Sequence, residues 1–402
     1  MHILLISRCP PLPLTLGDRL IVHHLSRGLA ARGHTLRLLA FDDGSAPPDP
    51  DAYRDLYTAV DLLPEPPRPA ASIARRLLRP AARYPVAAEE SWSPEMWRAI
   101  RRALLAQPPD VVQVFGGISV YEYAHALEPY PALITPYESY TLYLDRAIDA
   151  GGGLVTRARR VAAERFESWM FNQYRRVVVL TEADREALHT LNPTLPLSVI
   201  PNGVDLAAFT PDPSAAREPE TIVFTGNFAY PPNVDAALFL IEQVLPRVQA
   251  VIPGARLLLV GANPPDDLTD YADDDLIVTG SVPDLRPYLA RAAVFACPLR
   301  IGAGIKNKML EALAMGCPVV ATPLSFDGIP ARDGDSALFA DAHADRFSAA
   351  VLHLLRDPAL AARLGANGRR LVESGAIWTW DRVTEAYEAL YLDILRESGR
   401  RL

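Results

Sequence analysis

The chain has 402 residues, half of them hydrophobic and 22% charged, with a formal net charge of −8. That length allows two domains with separate cores, and the composition excludes a disordered chain. The acidic balance excludes a general nucleic-acid binder, which needs a basic excess.

The opening MHILLIS is too short an apolar run for a signal-peptide core and reads as a buried strand. It heads a series of short apolar runs: TLRLLAF (35–41), DVVQVF (110–115), ALITPY (132–137) and VVVL (177–180). Runs of this kind suit parallel strands buried on both faces. Between the first two, RLIVHHLSRGLAARG places Leu20, Leu25 and Leu29 on one helical stripe closed by Gly33. The result is a βαβ unit, and βαβ units imply a doubly wound parallel sheet. No run reaches the roughly 18 apolar residues that a spanning helix needs.

Residues 47–83 break the rhythm, first with prolines and then with arginines. Ile73, Leu77 and Leu78 lie between Arg75, Arg76, Arg79 and Arg83. An interfacial helix there would have a small apolar face, ended early by Pro80, so a solvated insertion is the preferred reading.

SVIPNGVDLAAFTPD (198–212) carries the turn chemistry of a domain boundary. Alternation then restarts. TIVFTG, RLLLVG, LIVTGSV, VFACPL, PVVATP and ALFA read as six strands of a second doubly wound domain, followed by a helix over 380–397. The expected boundaries are 1–200, 201–375 and a C-terminal segment 376–402 that crosses back to the first domain. Two such domains facing each other make a central cleft at their strand C-termini, where ligands bind in this architecture.

Three cysteines, Cys9, Cys297 and Cys317, cannot all pair and stand in no metal-ligand spacing. Cys297 and Cys317 fall in apolar runs, which reads as buried reduced thiols and a cytoplasmic setting. The eight histidines form no cluster, and Asp273 to Asp275 reads as a solvated turn, so no metal site is expected.

The most informative stretch is LRIGAGIKNKMLEALAMGCPVVATP (299–323), which reads strand, glycine turn, helix, strand. Gly302 and Gly304 allow close backbone approach, and the amides of Gly304 and Ile305 are expected to open the helix as an anion site. Lys306 and Lys308 add positive charge, and Glu311 can accept hydrogen bonds from two vicinal hydroxyls. Amides and lysines for a diphosphate, with a carboxylate for a ribose, fit a nucleotide-sugar. A tight turn with solvated lysines is the plain alternative. Glu311 weakens it, because an unpaired carboxylate in an otherwise apolar helix is costly. The pattern is neither a dinucleotide fingerprint nor a Walker loop.

At these residues the chain resembles the retaining GT-B glycosyltransferases of family 4, whose C-terminal domain carries an E-x7-E motif ending in E-A-x-A-x-G-x-P-V-V-A. PPLPLTLGDR (10–19), PNGVD (201–205), FTGNFAYPPNVDAA (224–237) and IKNKMLEALAMG (305–316) resemble bacterial sugar transferases of exopolysaccharide and PEP-CTERM loci. The resemblance implies a GT-B fold of two Rossmann-like domains and a sugar transferred, with retention and without a metal or other cofactor, from a UDP- or GDP-linked donor. It implies that Glu311 binds the donor ribose, that Gly17 faces the donor phosphate and that the backbone around Val282 meets the base. The implied acceptor is a glycan or lipid-linked molecule at the cytoplasmic membrane face, and the basic residues 75–83 are compatible with peripheral contact there.

Three departures stand out. Ala303 replaces the first Glu of E-x7-E, which in relatives helps hold the transferred sugar. Asn227 and Tyr230 stand where an Arg and a Lys often follow the first strand of the C-terminal domain, leaving Lys306 and Lys308 to neutralise the diphosphate. The first loop has a single glycine, Gly17, followed by Asp18. Lys308 is expected to stabilise the leaving group, and Glu138, after ALITPY, to orient the acceptor hydroxyl or the donor sugar. A helix-start carboxylate without such a role fits Glu138 equally well. Two other functions remain open: a GT-B nucleotide-sugar epimerase, and a non-catalytic homologue that acts as a binding partner.

Overall fold

The computed structural model describes residues 1–14, 16–45, 50–67, 84–211, 216–375 and 377–399. The chain separates into two compact units, Met1–Pro201 with Trp380–Leu402, and Asn202–Thr379. The basic segment singled out at 75–83 lies outside the described residues.

The first unit is built on a seven-stranded sheet in the order β3-β2-β1-β4-β5-β6-β7. Its strands are β1 His2–Ser7, β2 Thr35–Asp42, β3 Ala59–Pro64, β4 Val111–Phe115, β5 Ala132–Tyr137, β6 Arg176–Val179 and β7 Leu197–Val199. All neighbours are parallel, with Ser7 of β1 opposite Ala40 on one side and Phe115 on the other. Ile3 to Ile6 are buried on both faces of β1, as their unbroken apolar run requires. Two strands, β3 and β7, go beyond the five expected. Both lie at the edges of the sheet. β3 is mostly half-buried and runs into prolines, and β7 is three half-buried residues, so neither carries a long apolar run.

The helix Gly17–Ala31 buries Ile21, Val22, Leu25 and Leu29, and the chain turns at Gly33 with φ 82°. The C-terminal helix Trp380–Glu397 packs against it, which makes the end of the chain part of the first unit. Gly28 supplies the close approach, because a Cβ there would lie 2.2 Å from the Thr384 hydroxyl. His24 stacks on Trp380 with ring centroids 4.7 Å apart. On the sheet side, Tyr387 and Tyr391 reach buried polar residues: the Tyr387 hydroxyl is 3.1 Å from that of Thr135, and Tyr391 donates to Gln113 Oε1 at 3.2 Å.

The second unit has a six-stranded parallel sheet in the order β10-β9-β8-β11-β12-β13. These are β8 Thr221–Thr225, β9 Arg256–Val260, β10 Leu276–Val278, β11 Val294–Cys297, β12 Val319–Ala321 and β13 Leu338–Phe339, the six runs expected from the sequence. Val223, Phe224, Leu259, Phe295, Val320 and Phe347 are among the residues of its core. All three cysteines are buried and unpaired. In both sheets the order reverses at one point, between β1 and β4 and between β8 and β11, and the crevice at such a reversal is where doubly wound folds bind ligands.

Candidate functional site

The reversal point of the second sheet joins the exits of β8 and β11. The chain leaves β8 through Gly226, and a Cβ at Gly261, after β9, would meet the Gly226 carbonyl oxygen at 1.9 Å. This contact holds the exits of β8 and β9 close together. Asn227 follows, with its side chain turned into its own loop: Oδ1 accepts from the Ala229 amide at 2.9 Å and from Asn263 Nδ2 at 3.1 Å. The loop leads into the helix Pro231–Phe239, whose first turn carries the buried Asn233. Asn233 Nδ2 donates to the Asn227 carbonyl at 2.8 Å, and its Oδ1 accepts from Lys308 Nζ at 2.5 Å.

Lys308 crosses from the other side of the reversal point. Its ammonium also lies 4.3 Å from the Phe224 ring centroid, a cation–π contact near the end of β8. Lys308 is half-buried, and burial pulls its pKa down to about 8. One turn later Glu311 is half-buried as well, and burial pushes its pKa up to about 7 while the nearby Lys308 opposes the shift. Its carboxylate makes no hydrogen bond with any described residue, leaving its oxygens open to an external donor.

The loop between β11 and this helix turns at Gly302, φ 132°, and Gly304, φ 67°. Both conformations lie in the region that favours glycine. The helix itself runs Asn307–Ala314, so the expectation that Gly304 and Ile305 open it is corrected by two residues. The left-handed turn at Gly304 and the extended Lys306, which occupies the N-cap position without a side-chain cap, delay helical torsions until Asn307. The amides of Ala303, Gly304, Ile305, Asn307 and Lys308 form no hydrogen bond with any described residue. Buried backbone donors are almost always satisfied, and Ala303 and Gly304 are buried. A loop of open N–H groups running into an uncapped helix N-terminus has the donor geometry to receive an anion.

Lys306 departs from its expected place toward the diphosphate. Its side chain is only 8% exposed, and its Nζ donates to the carbonyls of Ala303 at 2.8 Å and Gly304 at 2.6 Å. A buried ammonium needs acceptors, and the glycine turns bring two within reach. Asn202, from the PNGVD boundary, ties to the same helix start through Asn307 Oδ1 at 2.9 Å. Val282 is half-buried beyond β10, at the edge of the sheet two strands away from β8. The Asp273 to Asp275 run is a turn in which Asp273 accepts from the amides of Asp275 and Leu276.

Gly17 and Glu138 belong to the first unit. Gly17 is exposed and begins the helix Gly17–Ala31. Glu138 is half-buried and follows Tyr137, whose φ of 75° is rare for a side chain of that size. The next residues are held by a buried carboxylate: Glu167 accepts from the amides of Tyr140 at 2.7 Å and Thr141 at 3.0 Å, and from the hydroxyls of Ser139 and Thr141. Sequence reasoning missed Arg8 here. Its guanidinium pairs with Asp18, lies 5.8 Å from the Tyr137 ring centroid and packs over Gly116, at the reversal between β1 and β4. It also missed Asn233, although a polar residue in the first turn of an apolar helix was a usable signal.

A sequence profile described as Glycosyltransferase Family 4 matches residues 20–208, and one described as Glycosyl transferases group 1 matches residues 219–357. The chain thus carries two glycosyltransferase domains, the first of them matching family 4. A phosphatidyl-myo-inositol mannosyltransferase from Mycolicibacterium smegmatis is 33% identical over 172 residues, 40% of this chain and 44% of that protein. The chain spans about half the length of the first curated relatives it matches. Among solved structures, sucrose-phosphate synthase from Thermosynechococcus elongatus superposes with a TM-score of 0.75 over 98% of this chain and 99% of that one, at 19% identity. Anabaena Alr3699/HepE in complex with UDP superposes with a TM-score of 0.69 over 98% and 100%, at 13% identity. At these identities the likeness establishes the fold. The chain has the GT-B fold of two Rossmann-like α/β domains, and the loop of open amides lies within the group-1 match.

Proposed function

We propose that this chain transfers a sugar, with retention, from a UDP- or GDP-linked donor to a glycan or lipid-linked acceptor. The observation that carries this reading is the conjunction, at the start of one helix, of five open amides, the half-buried Lys308 ammonium and, a turn further on, a Glu311 carboxylate with no hydrogen bond to any described residue. The amides and Lys308 match a diphosphate in charge and geometry, and Glu311 matches a vicinal diol.

In the reaction, the bond from the anomeric carbon to the diphosphate oxygen breaks and a bond to the acceptor oxygen forms on the same face. The acceptor proton passes to the departing diphosphate. The protein contributes position and charge stabilisation, which fixed amides and a cation provide without reorganising. Lys308 and the amides stabilise the leaving group, while Glu138 orients the acceptor hydroxyl or donor sugar. Gly17 keeps the first loop open for phosphate, and the backbone near Val282 meets the base. Alr3699/HepE, bound to UDP, favours testing uridine donors first.

For the acceptor side, among the described residues no helix is long and apolar enough to cross a membrane. The helix Leu154–Met170 offers a different contact, with Leu154 84%, Val155 66% and Val161 71% exposed. Arg157 and Arg159 on the same helix form no ion pair with any described residue. Exposed apolar side chains flanked by arginines on one helix suit an anionic lipid surface.

The test is the melting temperature of the protein against a panel of nucleoside diphosphates and their sugars, because a ligand of the native state raises it. Stabilisation by one nucleotide class, lost in Glu311→Ala and Lys308→Ala, supports the reading. A folded protein that responds to none of them overturns it.

A further inference from the structure

We infer that Lys306 is a positioning residue: its ammonium aims the Gly304 and Ile305 amides at the diphosphate and does not touch the diphosphate itself. The inference rests on the nucleotide-binding reading above and assigns this lysine a different task from Lys308.

The argument is geometric. In a planar trans peptide the C=O and N–H point in opposite directions. The Ala303 carbonyl shares its peptide plane with the Gly304 amide, and the Gly304 carbonyl shares its plane with the Ile305 amide. Lys306 Nζ holds both carbonyls, at 2.8 and 2.6 Å. Fixing those oxygens on the ammonium turns the two N–H groups to the opposite side, where neither has a partner among the described residues.

The lysine also fits as a wedge beneath the loop. A Cβ on Gly302 would lie 3.5 Å from Lys306 Cε and 3.7 Å from its Nζ. The glycine torsions at 302 and 304 give the loop freedom to turn either way, and the buried cation selects one orientation. A cation on the carbonyl side also polarises each peptide, strengthening the N–H donor at its other end. With Ala303 in place of a glutamate, the side chains of 302–304 cannot organise the loop, so the task falls to the next long side chain.

The experiment compares Lys306→Met, which keeps the length and loses the charge, with Lys306→Gln, which keeps one donor. Calorimetry measures the affinity for UDP and GDP, and ligand-observed NMR measures uridine and guanosine. Melting temperatures of the free proteins confirm folding. The expected result is a loss of about tenfold or more in nucleoside diphosphate affinity for Lys306→Met, with nucleoside affinity within about threefold of wild type. Lys306→Gln falls between the two, and decides by the same ratio if the methionine variant does not fold. Unchanged diphosphate affinity, or an equal loss for nucleoside and diphosphate, overturns the inference. Failure of the wild-type protein to bind either diphosphate overturns the nucleotide reading instead.

Discussion

Lys308 Nζ lies 2.5 Å from Asn233 Oδ1, a bond that ties the helix after β11 to the helix after β8 across the reversal point of the second sheet. The lysine is thereby held out from its own helix, over Phe224, with a neutral acceptor that leaves its charge available.

Asn233→Asp tests that arrangement with almost no change of shape. The new carboxylate would pair with Lys308 and cancel the charge offered to a diphosphate, while the donor to the Asn227 carbonyl is lost. Nucleoside diphosphate affinity should fall by about tenfold or more, a difference of about 1.4 kcal/mol, with little change in melting temperature. Titration calorimetry reads it, and an unchanged affinity would mean that the Lys308 charge does not serve the ligand.

Glu311 makes stability depend on pH. Burial raises its pKa from 4.5 to about 7, so between those values the unfolded chain has released a proton that the folded protein still holds. The stability from this group is complete below about pH 4.5 and is lost as pH rises through about 7. Glu311→Gln has no such proton to lose. Its melting temperature relative to wild type should therefore climb between pH 5 and pH 8, by the equivalent of about 1–3 kcal/mol, while ribonucleotide affinity drops. A difference that stays flat across that range would remove the buried-carboxylate assignment.

Gly28 and Thr384 make a second, purely structural test within the first unit. A methyl at position 28 would strike the Thr384 side chain at 2.2 to 3.0 Å. Gly28→Ala should cost about 1–3 kcal/mol by overpacking, despite the better helix propensity of alanine. Combining it with Thr384→Ala should recover part of that loss in chemical denaturation. Strict additivity of the two would show that the helices Gly17–Ala31 and Trp380–Glu397 do not depend on this contact.

The helix Leu154–Met170 gives the lipid-surface reading its own measurement. The protein should sediment with vesicles containing anionic lipid and not with purely zwitterionic ones. Leu154→Asp with Val161→Asp, or Arg157→Gln with Arg159→Gln, should each weaken sedimentation several-fold and leave nucleotide affinity unchanged. Sedimentation that ignores both pairs would assign the acceptor side elsewhere.

Much of the fold could be read from local pattern. HILLIS and VFACPL could only be buried strands, because unbroken apolar runs of that length have no other stable place in an α/β chain. The two edge strands escaped for the same reason reversed: half-exposed and flanked by proline, Ala59–Pro64 and Leu197–Val199 resemble loop. The spacing of Lys308 and Glu311 put both on one helix at sight, whereas Asn233 belongs to a helix 75 residues away and becomes their neighbour only once β8 and β11 pair.

The sequence by itself determined the strands, the helix stripes, the glycine turn and the presence of two lysines and a carboxylate beside it, since these follow from local periodicity and residue chemistry. Only the tertiary structure decided what each lysine touches. Lys306 and Lys308 are two residues apart and chemically identical. The torsions at Gly302 and Gly304 bring carbonyls to the first, and the pairing of β8 with β11 brings Asn233 and Phe224 to the second. Side-chain direction depends on what the rest of the chain places within reach, and that is a property of the folded whole.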